Sequence, residues 1–165
     1  LPADYLPGTA AEQIARGMTG YRGVKRRLEA VFTRGGVTLY DDFAHHPTAI
    51  ATTLDGLRRK VGAQRIIAVL EPRSNTMKLG THREALTASL KGADRVWLYQ
   101  GPDVKWDVRG LGTELGPRAS VATSIDELVA GIASEARAHE HVLVMSNGGF
   151  GGVHGKLLAK LGTTP

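Results

Sequence analysis

The 165 residues carry 21 Lys and Arg against 16 Asp and Glu, a formal charge of +5, with 42% hydrophobic residues and no cysteine. That is enough apolar material for one sizeable core, and it excludes disulfides and thiolate metal sites. No apolar run approaches the roughly 18–20 residues of a membrane span, and the opening LPADYLPGTA lacks the basic and apolar regions of a signal peptide.

Aromatics are only 5%, and the single dense basic cluster is Lys25-Arg26-Arg27, so there is little material for a nucleic-acid platform. The expectation is a cytoplasmic domain with no nucleic-acid or membrane partner. It is basic because it handles phosphates and carboxylates.

In chain order, a short amphipathic stretch at 8–18 precedes the glycine-flanked YRGVKRRLE. Residues 28–33 (LEAVFT) and 37–42 (VTLYDD) are strand-like, and Arg34-Gly35-Gly36 between them is a hairpin signal. From Pro47, the apolar residues Ile50, Leu54, Leu57 and Val61 fall at helical spacing, with proline in its favoured first-turn position. Then follow a strand RIIAVLEP (65–72), a helix at about 81–92 and a strand RVWLYQ (95–100). A Gly/Pro-broken loop is expected over 101–118, then a strand SVATS. A helix over 124–140 opens with Ser124 as N-cap and Glu127 completing a capping box. A strand HVLVMSN (141–147) and a helix over 152–161 close the series.

RIIAVL, RVWLY and HVLVM are nearly continuous apolar runs, as expected of strands buried on both faces. Strand–helix alternation with short connections predicts an α/β fold: a Rossmann-like, mostly parallel sheet with an antiparallel edge hairpin and helices on both faces. Ligands of such sheets sit at the carboxyl ends of the strands. Three polar motifs fall there: DDFAHHP after one strand, EPRSNTMK after the next, SNGGFGG after the last.

In DDFAHHP the start of the following helix favours an anion. A carboxylate such as Asp42 can accept ribose hydroxyls, Phe43 offers a flat apolar face, and His45 and His46 add donors. A metal site is disfavoured because adjacent histidines in an extended segment point opposite ways. The alternative is that Asp41 or Asp42 caps the helix and the histidines are satisfied rim residues.

In EPRSNTMK, Arg73 has the planar fork that matches a carboxylate, accompanied by Ser74, Asn75 and Lys78; the alternative is a solvated loop. In SNGGFGG the glycines let backbone approach a ligand closely, and the following helix offers an anion site. Neither G-x-x-x-x-G-K-[ST] nor a G-x-G-x-x-G after a first strand is present.

Together GVKRRLE (23–29), YDDFAHHPTAI (40–50), LEPRSNTMKLGTH (70–82) and MSNGGFGGVHGKL (145–157) resemble the C-terminal domain of the Mur ligases over nearly the whole chain. DDFAHHP alone is similar to the muramate–alanine ligases. EPRSNTMK and SNGGFGG point to the branch that joins L-alanyl-γ-D-glutamyl-meso-diaminopimelate to UDP-N-acetylmuramate in peptidoglycan recycling. The Asp-Asn-Pro-Arg signature of the diaminopimelate-adding ligases is absent; Gln100-Gly101-Pro102-Asp103 is the nearest stretch.

The resemblance implies a three-domain enzyme that uses ATP and Mg2+. Its N-terminal domain binds the UDP-sugar, its central domain is a P-loop ATPase, and its C-terminal domain closes over both. Residues 1–22 would lead in from the central domain and 23–165 would be the C-terminal domain, inactive alone, with Mg2+ held mainly elsewhere. Arg27, Asp42, Phe43 and His45 would meet ATP at its phosphates, ribose, base and γ-phosphate respectively. Arg73, Ser74, Asn75, Lys78, Ser146, Asn147 and Gly148 would meet the peptide, and no metal ligand is assigned. A muramate–alanine ligase domain and a free-standing nucleotide-binding α/β module remain the alternatives.

Overall fold

Six strands form one sheet in a computed structural model that describes residues 27–72, 83–102, 104 and 107–161. They are β1 (Glu29–Arg34), β2 (Val37–Asp42), β3 (Ile66–Leu70), β4 (Arg95–Tyr99), β5 (Ala119–Ala122) and β6 (His141–Met145). Their order is β1-β2-β6-β3-β4-β5. Only β1 and β2 pair antiparallel; every other neighbouring pair is parallel. The stretch at 8–18, and Arg73, Ser74, Asn75 and Lys78, lie outside the described residues.

The hairpin closes on Gly35 and Gly36, with φ of 61° and 80°. Two successive positive φ values are what a two-residue turn needs to match the twist of its strands. A Cβ on Gly36 would also stand 2.7 Å from the Ala138 side chain, so glycine is required twice over.

The period-two alternation of the buried strands divides the core. Ile66, Ala68 and Leu70 face α1 (Pro47–Val61), α2 (Arg83–Ser89) and α3 (Arg109–Leu115). Ile67 and Val69 face α4 (Ile125–Glu135) and α5 (Val153–Leu161). In α1 the helical spacing buries Ile50, Leu54 and Leu57. Gly62 follows with φ 65° and returns its N–H to the Arg58 carbonyl at 2.8 Å.

The expected loop at 101–118 instead contains α3. Two glycines in RGLGTEL depress helix propensity, yet Leu111 and Leu115, four apart, are both buried and hold the turn against the sheet. Gly110 admits the Arg83 guanidinium, which a Cβ would meet at 2.5 Å.

The helix expected to reach 140 stops at Glu135. Ala136 is already extended, and His139, with φ 69°, donates its N–H to the Gly36 carbonyl at 2.9 Å. The apparent helical run of ARAHE gives way to this contact with the hairpin. At the other end Ser124 accepts the Glu127 N–H at 3.1 Å. The Glu127 carboxylate reaches Thr123 N–H at 3.0 Å, one residue earlier than the expected box.

At the start of β6, buried His141 bridges the Tyr40 hydroxyl (3.1 Å) and the Gln64 side-chain oxygen (2.7 Å). Burial, with Lys60 nearby, holds its pKa below the usual histidine range. The fold therefore favours the neutral ring, and the unfolded chain takes up the proton first. Stability from this site is present above about pH 6.5 and is lost as pH falls through the lowered value. His141→Gln should flatten that part of the stability–pH curve, measured by urea denaturation from pH 7.5 to 5. An unchanged acid limb would show that His141 does not couple to folding.

Candidate functional site

Adjacent positions on a strand point to opposite faces, which separates the two carboxylates ending β2. Asp41 faces α5, where His154 Nε2 lies 2.7 Å from Oδ1, with His154 only 1% exposed. Asp42 faces α1 and is 5% exposed. Its Oδ1 accepts the Ala44 N–H at 2.7 Å and the Thr53 hydroxyl at 3.3 Å; Oδ2 accepts the Leu28 N–H at 2.6 Å. Neither aspartate caps α1: the N-cap is His46, with no side-chain cap bond and Pro47 following. The capping alternative is thus replaced by two separate anchoring roles.

Beside Asp42 lies a cavity of about 460 Å³ with Arg27, Leu28, Phe43, Ala44, His45 and Thr53 among its lining residues. Its size falls within the roughly 300–1,000 Å³ of small-molecule sites. Arg27 is exposed, and Phe43, at 40% exposure, is a large apolar ring held at the surface. The expected splaying of the two histidines does not occur: the His45 and His46 ring centroids are 4.5 Å apart. His45 also meets the edge of Phe43 at 5.4 Å. Its Nδ1 is 3.0 Å from the Phe43 carbonyl, which can only accept, so Nδ1 carries the proton. A neutral His45 then offers Nε2 as an acceptor; only the imidazolium donates from Nε2. Among the described residues no group of three His, Cys, Asp or Glu side chains is arranged to hold a metal.

Leu28 itself is left-handed, with φ 45°. A non-glycine residue there carries about 1–3 kcal/mol of strain. The short bond to Asp42 offsets it. Sequence inspection missed this because no residue type announces it.

Farther along the rim, Ser146 is fully buried. Its hydroxyl donates to Glu71 Oε1 at 2.9 Å and accepts the Gly148 N–H at 3.0 Å. Ser146 therefore braces the two loops from below, while Asn147 and Gly148 are half-buried above it. Past Gly149 three residues turn left-handed in succession: Phe150, Gly151 and Gly152 have φ of 49°, 56° and 72°. The buried Phe150 ring stacks on Tyr99 at 5.4 Å. Glu71 and His154 were passed over in the sequence. Both sat inside the quoted motifs, and a carboxylate ending an apolar strand was the available signal.

The opposite rim carries a more voluminous cleft, about 750 Å³, near Arg58, Lys91, Asp94 and Arg118. Its guanidinium groups are already committed. Arg58 donates to the carbonyls of Gly62, Gln64 and Gly92 and pairs with Asp94 at 2.7 Å. Arg118 donates to the carbonyls of Lys91 and Ala93. Burial alone would raise the Asp94 pKa, but hydrogen bonds from Arg58 and the Ile66 amide, with the charges of Arg58 and Arg65, bring it below the usual carboxylate range. This cleft fastens loop ends, and the polar motifs lie on the other rim.

Residues 26–148 match the family model described as Mur ligase, glutamate ligase domain. The chain belongs to the Mur ligase family. It is 43% identical over 162 residues to the UDP-N-acetylmuramate–L-alanyl-γ-D-glutamyl-meso-2,6-diaminoheptandioate ligase of Haemophilus influenzae, covering 98% of this chain and 36% of that protein. The Escherichia coli protein of the same name is 47% identical over 152 residues, covering 92% of this chain and 33% of that one. The chain thus spans about a third of these curated Mur ligases. A crystallised domain from a protein described as a putative ligase of this type in Haemophilus ducreyi is 47% identical with TM-score 0.71, covering 82% of this chain and 99% of that one.

Breaking the Asp41–His154 pair should loosen α5. His154→Ala removes the ring and takes one hydrogen bond from the buried Asp41 carboxylate, a cost of about 1–3 kcal/mol. Chemical denaturation of the domain checks it; a loss below about 0.5 kcal/mol would show that the pair is not holding the helix.

Proposed function

We propose that the chain is the C-terminal domain of an ATP-dependent ligase that joins L-alanyl-γ-D-glutamyl-meso-diaminopimelate to UDP-N-acetylmuramate. Residues 1–22 lead in from a central ATPase domain, and 23–165 form the closing domain. The observation that carries the proposal is the gathering of Arg27, Asp42, Phe43 and His45 around one cavity, in a chain whose curated relatives at 43–47% identity bear that ligase name. The muramate–alanine ligases also match, at 33% identity over 152 residues for the Nocardioides protein. EPRSNTMK and SNGGFGG favour the peptide ligase over them.

The residues present suit a nucleotide's outer face. Phe43 and the Leu28–Ala44 floor provide apolar surface for a base. Asp42 keeps acceptor capacity on Oδ2 for a ribose hydroxyl, and Arg27, with the His45 imidazole beside it, supplies a cationic donor for phosphate. The chain contains no G-x-x-x-x-G-K-[ST] loop, so activation of the muramoyl carboxylate by ATP, with its Mg2+, falls to the rest of the ligase. Alone, this body turns nothing over. No described helix is long and apolar enough to cross a membrane, and a cytoplasmic setting suits an enzyme fed by ATP and UDP-sugars.

In the complete ligase His45→Ala should raise the ATP KM several-fold and leave the tripeptide KM unchanged, because only the nucleotide end loses a contact. An unchanged ATP KM would remove His45 from the phosphate.

The peptide carries several carboxylates and must hold its alanine amine against the activated acyl group, which calls for a cation of fixed geometry. Arg73 is the candidate from the sequence. Arg73→Lys keeps the charge and loses the bidentate fork, so kcat/KM for tripeptide should fall about tenfold or more while ATP KM holds. A kinetically silent Arg73→Lys would transfer the role to Asn75, Lys78 or the Ser146–Gly148 loop.

A further inference from the structure

We infer that Asp42 acts on the nucleotide chiefly through the backbone: its carboxylate clamps Leu28 in the left-handed region and so sets Arg27 at the mouth of the cavity. The inference rests on the nucleotide reading of that cavity and gives Asp42 a positioning role beyond any ribose contact.

Four observations meet here. Leu28 has φ 45°, a conformation that a leucine does not adopt unaided. Its N–H points into Asp42 Oδ2 at 2.6 Å, the shortest of the three bonds to that carboxylate. The carboxylate is itself fixed from the other side by the Ala44 amide and the Thr53 hydroxyl, so the acceptor cannot swing to follow the chain. The Leu28 side chain is half-buried against the α1 side of the core and passes 3.9 Å from where a Cβ on Gly56 would stand.

Leu28 is thus held at both its backbone and its side chain. Arg27, one residue earlier, is exposed and lines the same cavity as Asp42 and Phe43. The direction in which the chain delivers the guanidinium is set by the Leu28 φ. Without the clamp, Leu28 relaxes to a negative φ and Arg27 leaves the mouth of the cavity.

The test is a double-mutant cycle in the complete ligase, reading ATP KM for wild type, Arg27→Ala, Asp42→Asn and the double variant. Asparagine keeps an oxygen for Ala44 and turns an amide group toward the Leu28 N–H. If Asp42 works through Arg27, each single change raises ATP KM about tenfold, the double variant is no worse than the singles, and tripeptide KM stays constant. Effects that multiply make Asp42 an independent ligand and overturn the clamp. A silent Arg27→Ala also overturns it, and in that case the nucleotide reading of the cavity fails with it.

Should Asp42→Asn fail to fold, Leu28→Val strains the clamp from the other partner, because a β-branched residue resists positive φ. It should raise ATP KM in the Arg27 protein and leave it unchanged in the Arg27→Ala protein. An equal rise in both backgrounds would mean that Leu28 touches the nucleotide directly, and the clamp falls.

Discussion

Two consecutive carboxylates at the end of β2 face opposite sides of the sheet, and both helical layers are tied to the sheet at that point. Asp41 takes His154 from α5, and Asp42 takes Thr53 from α1 together with the amides of Leu28 and Ala44. Each carboxylate is buried, so each must be satisfied or its desolvation goes uncompensated. The pleat makes this possible with adjacent residues; a helix would have put them about 100° apart on one surface. The entry of the chain into β1, the start of α1 and the seating of α5 all depend on these two side chains.

The mostly parallel sheet with helices on both faces was legible because RIIAVL, RVWLY and HVLVM are near-continuous apolar runs, as strands buried on both faces require; the strand order was not. The hairpin was legible for a different reason: Gly35-Gly36 admits the two positive φ values that the turn uses. What escaped was set by tertiary contact. RGLGTEL folds as a helix because Leu111 and Leu115 find the core and Gly110 makes room for Arg83. ARAHE leaves the helix because His139 bonds to Gly36, a residue 103 positions earlier (139 − 36).

The same division runs through the site. Residue types pointed to Asp42, Phe43 and His45, since charge, ring and imidazole announce chemistry. The pairing of Asp41 with His154 and of Glu71 with Ser146 was not visible, because partners 113 and 75 residues apart meet only once the sheet exists. Nor was the left-handed Leu28, whose identity argues for an ordinary conformation. Its strain is maintained by a carboxylate 14 residues away.

The rim is accordingly built in two layers. Beneath, Asp41, Asp42, Glu71, Ser146 and His154 are buried: Asp41 meets His154, Glu71 meets Ser146, and Asp42 holds Leu28, Ala44 and Thr53. Above, Arg27 is exposed, Phe43 presents its ring and His45 is half-buried. Charges at the surface interact weakly through water, at about 1 kcal/mol for a pair 4 Å apart in bulk solvent, and several times that once water is displaced. An open half-site of this kind therefore gains strength only when a second surface covers it. The inner layer supplies what closure cannot, a fixed geometry before such a surface arrives. Its hydrogen bonds hold the strand ends and loops that carry Arg27, Phe43 and His45.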